Sequence, residues 1–333
     1  MGLEFPIRDK NVTPLYYWYK DSAQLSLRNV ITQYKMVLDN NENKMKLLPI
    51  DIFQVENELE SKSLALLQGD ALTYLIHRDG IYEKHFLDLI NLVIKEGDCA
   101  IDMGANLGYH TVSLSKLVGN SGKVVAFEPQ RITFQQLNCN IFLNKLDNVY
   151  TYNAAVGEEN SEIYIEQVDY YKVVEGYYGT NIGNTSISNN RIGDKVSKIT
   201  LDSLKLPKCN FIKLDIQGCE LLALMGARNT ILKHRPILFI EMEIQHLIKF
   251  NTTVEYLQQY IFTLGYKILR IDNDYPHDYI CIPMDNEILL LNYQHKTSEI
   301  LDFLRVPRKR SFLKPLVTLI KSLRALKIWL IRR

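Results

Sequence analysis

The stretch from Val93 to Pro129, VIKEGDCAIDMGANLGYHTVSLSKLVGNSGKVVAFEP, restricts what this chain can fold into more than any other. A polar turn at Lys95 to Asp98 precedes Cys99 to Met103, a run with the apolar character of a buried strand. Gly104 and Gly108 bracket a tight turn, a helix is predicted over 109–118, and a second apolar run from Lys123 to Phe127 stops at Glu128. Strand, glycine turn, helix, strand and acid make a parallel α/β unit whose parts suit a nucleoside-like ligand. Glycine allows positive φ and close approach of the backbone. The first turn of the helix offers unpaired N–H groups to a carboxylate or phosphate. Glu128 lies 20 residues beyond Gly108, the separation at which such folds place an acid on ribose hydroxyls.

The turn reads Gly104-Ala105-Asn106-Leu107-Gly108 and lacks the third glycine of G-x-G-x-x-G, so it fits a pyrophosphate poorly. It resembles motif I of class I S-adenosylmethionine (SAM) methyltransferases. The longer string Asp-Met-Gly-Ala-Asn-Leu-Gly-Tyr-His-Thr, residues 102–111, is similar to the FkbM family of those enzymes. The resemblance implies an α/β fold with a Rossmann-like, seven-stranded class I methyltransferase sheet and SAM as cofactor. It also implies methyl transfer to a hydroxyl of a saccharide or a polyketide-like metabolite. Under it Asp102 opens the turn, Gly104, Asn106 and Gly108 belong to the cofactor site, and Glu128 closes on the ribose. Glu83, in an upstream helix predicted over 70–94, would lie near the cofactor's amino-acid end; the other reading is a glutamate that only favours the helix dipole.

A second string, Phe211-Ile212-Lys213-Leu214-Asp215-Ile216-Gln217-Gly218-Cys219-Glu220, reads as a strand ending at Asp215 and a helix starting after Gly218. That places Asp215 at the carboxyl end of a strand, where open α/β sheets keep their chemistry. The string resembles the Asp-x-Glu-Gly-x-Glu turn of FkbM enzymes at Asp215, Gly218 and Glu220. It departs at position 217, where Gln replaces the usual Glu and leaves only hydrogen bonding. Asp215 is the first candidate for the base that takes the acceptor's proton, or for a group that only orients the acceptor; His110 and His246 come second. Glu220 reads either as part of the site or as a helix-start acid. Asn153 and Ala154, at the end of a strand predicted over 149–155, are placed to border the adenine.

Further elements follow from periodicity. One or two strands are expected in 47–65 and a helix over about 130–144 with Phe134, Leu137, Ile141 and Phe142 on one face. A strand at Ile237 to Glu241, a helix near 253–264 and two closing strands, one antiparallel, complete the series. The resulting organisation is an extension at 1–69, a methyltransferase domain at 70–300 and a basic tail at 301–333. The extension carries the aromatic run Tyr16 to Tyr19, a predicted helix near 22–37 and an asparagine-rich loop at 39–46; it reads as packing material or as a lid or dimer arm. Residues 161–200, with five tyrosines among glycines and Asn/Ser/Thr, read as a sugar-contacting insertion or as a mobile loop.

The net charge of +1 argues against binding nucleic acid through bulk electrostatics, yet it conceals a division. Residues 305–333 hold ten Lys or Arg and no acid, leaving 29 bases against 38 acids in the rest. On a helical wheel Leu313, Leu316, Val317, Ile320, Leu323, Leu330 and Ile331 oppose Lys314, Lys321 and Arg332, with Trp329 as an interfacial anchor. The tail at 307–333 therefore suits peripheral contact with an anionic membrane, or an amphipathic helix folded back on the acidic body. The five scattered cysteines form no zinc set, and with an N-terminus lacking an apolar leader they point to free thiols and a cytoplasmic setting; no metal is expected. The partner expected is a small-molecule or glycan acceptor. Two other functions stay open: a nicotinamide-dependent oxidoreductase, and a methyltransferase-fold binding module without catalysis.

Overall fold

The computed structural model describes residues 50–166, 193–271, 277–286 and 304–305. The chain divides into two compact units, the first holding residues up to Ala155 together with Glu159–Ile199, the second Val156–Glu158 with everything from Thr200 onward.

The first unit opens with an antiparallel hairpin, β1 (Ile50–Glu56) and β2 (Ser61–Leu67), in register from Ile50 opposite Leu67 to Glu56 opposite Ser61. Asn57 sets the turn by accepting the N–H groups of Leu59 and Glu60 on its side-chain oxygen. The helix expected over 70–94 is two helices, α1 (Ala71–Asp79) and α2 (Lys84–Val93). The break has a local cause. Gly80 ends α1 in the left-handed conformation, φ 67°, and Glu83 precedes α2 at φ 47°.

Next come β3 (Cys99–Met103), α3 (Tyr109–Val118), β4 (Lys123–Phe127), α4 (Arg131–Leu143) and β5 (Val149–Tyr152). Strands β3, β4 and β5 pair in parallel, with Asp102 beside Ala126 and Ala126 beside Thr151. Strand β3 is buried along its whole length, as a strand covered on both faces must be. From α4, Leu137 and Ile141 join Ala105 and Ala126 in the core with Phe134 partly buried against them, whereas Phe142, expected on the same face, is 81% exposed. One residue past Ile141 is a turn of 100° around the helix, which carries Phe142 off the buried stripe. The strand expected over 149–155 breaks at Asn153, and Ala154–Val156 forms β6. An antiparallel pair, β7 (Ser161–Ile165) and β8 (Asp194–Ile199), follows.

The second unit contains β9 (Phe211–Leu214), α5 (Glu220–Gly226), α6 (Arg228–His234), β10 (Ile237–Glu241), α7 (Ile244–Leu247), α8 (Val254–Thr263), β11 (Tyr266–Ile271) and β12 (Asp278–Pro283). Strands β9 and β10 pair in parallel, and β12 runs antiparallel to both β10 and β11, the reversal expected at this end of the chain. Strands β9, β10 and β12 are buried at every position. Among the described residues no helix is long and apolar enough to cross a membrane. The aromatic run at 16–19, the helix expected at 22–37, the loop at 39–46, most of the tyrosine-rich insertion and the tail at 307–333 lie outside the described residues.

Candidate active site

In the first unit the site is built on the turn between β3 and α3. Gly104 (φ 78°) and Asn106 (φ 50°) are left-handed, and the N–H groups of Gly104 and Ala105 both donate to the Phe127 carbonyl, at 3.0 and 2.9 Å. Those bonds tie the turn to the end of β4, where Glu128 emerges. The Glu128 carboxylate accepts the Asn106 N–H on Oε2 and the Gln130 N–H on Oε1, each at 2.9 Å. A carboxylate offers about four lone-pair sites and accepts hydroxyl donors as it accepts backbone N–H groups.

The Asn153 side chain donates to the carbonyls of Glu128 and Pro129, at 2.9 and 3.0 Å. Asn153 thus supports the acid's backbone through its side chain, and Ala154 beside it is 4% exposed. Asp102 is fully buried and accepts the Thr111 hydroxyl at 2.6 Å, bracing the turn against α3. Gly108 is required for two reasons: its φ is 89°, and a Cβ there would lie 2.7 Å from Leu137 Cδ1. It caps α3, whose first turn receives no capping hydrogen bond from that position's side chain and contains no acid.

Glu83 occupies the N-cap position of α2, yet its side chain caps no helix N–H. Its Oε2 lies 2.7 Å from His110 Nε2, with 11% of the side chain exposed. His110 is itself buried and held between Tyr82 and Phe86 as well as by Glu83, which makes it an anchor for that carboxylate.

The second unit, taken by itself, holds a turn after β9. Lys213 and Asp215 sit two residues apart and so share a face of the extended chain. Lys213 is buried, and its Nζ lies 3.4 Å from Asp215 Oδ2. Gln217, left-handed at φ 57°, donates its amide to Asp215 Oδ1 at 3.3 Å. The Asp215 side chain is 29% exposed. Burial works to raise its pKa, but the Lys213 ammonium and hydrogen bonds from Glu241, Lys213 and Gln217 outweigh it and hold the carboxyl below its ordinary range.

Glu241 ends the neighbouring strand β10 and is opposite Asp278 of β12. Burial first, then the charge of Asp215 and a hydrogen bond to it, push the Glu241 carboxyl well above its ordinary range, which favours its protonated form beside Asp215. Glu220 accepts the N–H groups of Ile216 and Gly218 on Oε1, both at 3.1 Å, which makes it the clasp of the turn. Gly218 is needed because a Cβ would meet the His246 carbonyl oxygen at 2.3 Å. His246 is 6% exposed, and burial, aided by Lys249, lowers its pKa; it is a neutral core residue.

The profile of the methyltransferase FkbM domain matches residues 102–268, half of the chain. The chain belongs to the FkbM methyltransferase family. No curated protein matches closely enough to count as a relative. Among solved structures, the FkbM methyltransferase from Methylobacillus flagellatus KT is 20% identical with a TM-score of 0.40, the match covering 63% of this chain and 58% of that one. Fibrillarin from Aeropyrum pernix, solved with natively bound SAM, is 12% identical with a TM-score of 0.37, over 72% and 85% of the two chains. A SAM-dependent O-methyltransferase from Thermotoga maritima is also 12% identical, with a TM-score of 0.36 over 69% and 77%.

The chain's FkbM methyltransferase domain is of α/β type, with β3 to β5 in the first unit and β9 to β12 in the second. That removes the nicotinamide-dependent oxidoreductase from consideration. The residues present fit the cofactor. Glu128 puts a carboxylate at the end of β4 beside the glycine turn, the place a ribose would need it, and α3 begins without a side-chain cap or acid at the position where a carboxylate would be received. Two residues with a part in the site carried no assigned role in the sequence. Lys213 had a signal, a lone lysine inside an apolar strand; Glu241 had none, because its protonation depends on Asp215 and Asp278 in adjoining strands.

Proposed function

We propose that this FkbM enzyme transfers the methyl group of SAM to a hydroxyl of a saccharide or a related small metabolite. The observation that supports this is the Asp215 carboxylate, partly exposed at the end of β9 and kept ionised by Lys213 and its hydrogen bonds. The cofactor supplies an electrophilic methyl carbon, and the chain's task is to orient the acceptor and receive its proton. Asp215 accepts a hydrogen bond from the acceptor hydroxyl and directs an oxygen lone pair toward the incoming methyl. Methylation would give the acceptor oxygen positive character and make its proton strongly acidic. A carboxylate of depressed pKa is basic enough to take it at that moment.

Gln217 fits this scheme. A second carboxylate at that position would compete with Asp215 for its charge, whereas the amide donates to it. Glu128, the glycine turn and Glu83 are the groups assigned to hold the cofactor. The test is product formation: full-length protein, SAM and a panel of mono- and oligosaccharides together with a metabolite extract, followed by mass spectrometry. A methylated hydroxyl product formed by the wild type and lost in Asp215→Asn is expected. SAM binding with no product from any source would replace this reading with that of a binding module.

A further inference from the structure

Lys62, in β2, is an ammonium with 1% of its side chain exposed. Burying such a group costs several kcal/mol unless all three donors are met. They are met by Glu60 Oε2 at 2.6 Å, Ser113 Oγ at 2.8 Å and the Tyr109 carbonyl at 2.9 Å, with Nζ also 3.2 Å from the centre of the Tyr109 ring. Glu60, its side chain 5% exposed, accepts the Ser113 hydroxyl at 2.7 Å on Oε2 and the Tyr109 hydroxyl on Oε1. The Tyr109 hydroxyl in turn accepts the Tyr82 N–H at 3.0 Å. One residue along on each side, His110 holds Glu83 at 2.7 Å. The pair Tyr109-His110, immediately after Gly108, therefore grips the pair Tyr82-Glu83.

The grip has a reason. Glu83 is left-handed at φ 47°, a strained conformation for a non-glycine residue that persists only where its surroundings impose it. We propose that Lys62 and Glu60 are positioning residues of the cofactor site: through the Tyr109 hydroxyl they fix the Tyr82–Glu83 peptide, and with it the carboxylate assigned to the cofactor's amino-acid end. The inference rests on that assignment of Glu83. It makes the β1–β2 hairpin, which falls in the expected extension, a working part of the first unit. Burial, with a smaller push from Lys116, lowers Lys62 to about 7 against the pull of Glu60, so the charged groups facing it set a network that titrates near neutrality.

Calorimetric titration of SAM into the full-length wild type, Lys62→Met and Tyr109→Phe tests the proposal. Both variants should bind about tenfold more weakly. Tyr109→Phe removes a single oxygen and guards against failure of Lys62→Met to fold. In protein labelled with 15N-tyrosine, the Tyr82 amide resonance should move as the pH passes through about 7 in the wild type, and the course of that movement should change in Lys62→Met, a response that a lysine of purely structural role would not govern. Wild-type affinity in both variants overturns the inference and leaves the cofactor assignment standing; so does a Tyr82 amide that titrates identically in wild type and Lys62→Met. Absence of SAM binding by the wild type overturns both.

Discussion

Asp215 shows what a position alone can and cannot specify. Its place at a strand end beside a glycine turn was legible from the string around it, but its charge state is set by Lys213, Gln217 and the protonated Glu241, two of which carried no assigned role in the sequence. Asp215→Asn should lower turnover by about a hundredfold or more, the scale of lost general-base catalysis, with SAM affinity nearly unchanged. Product-release kinetics and calorimetry on the same preparation check the two halves of that statement. Glu220 gives a pH prediction. Burial pushes its carboxyl up to about 7 from 4.5, so between those values the folded state holds a proton that the unfolded chain has released. Folding stability then falls as pH rises through that window, and the contribution is greatest below it. Glu220→Gln retains an oxygen to accept the Ile216 and Gly218 N–H groups and should make the urea midpoint less steep against pH from about 4.5 to about 7.

At the level of elements, the unit from Cys99 to Glu128 forms within the boundaries that its apolar runs and glycines predict. Gly108 has the positive φ read for it in the sequence, and the structure adds a packing reason, since a Cβ there would meet Leu137 of α4. Gly108→Ala should therefore destabilise the protein by about 2 kcal/mol or more even without cofactor, through positive φ and overpacking together. Denaturant unfolding of the cofactor-free protein measures this. Where prediction failed, single residues redirect the chain. Gly80 and Glu83 split the expected long helix, and Asn153 interrupts a strand while its side chain serves the Glu128 and Pro129 carbonyls. Hydrophobic periodicity carries no trace of such side-chain-to-backbone bonds.

For the whole molecule, two strings far apart in sequence, around Gly104 and around Asp215, were enough to indicate the family to which the chain belongs. The hairpin's involvement was not legible in the same way. Lys62 stands between Ser61 and Ser63 at the start of β2, and only the fold brings it to Tyr109 and Ser113, 47 and 51 residues away. Acceptor chemistry is tied to no motif, and the aromatic, asparagine-rich segment that suggested a sugar lies mostly outside the described residues. The account as a whole depends on the glycine turn and Glu128 holding an adenosyl ligand. Titration calorimetry of SAM into full-length wild type and Glu128→Ala tests that most directly. Saturable one-to-one binding, weakened by about 1–3 kcal/mol in the variant through lost charge-assisted hydrogen bonds, is the result predicted; no binding by the wild type, or equal affinity in both proteins, would contradict it.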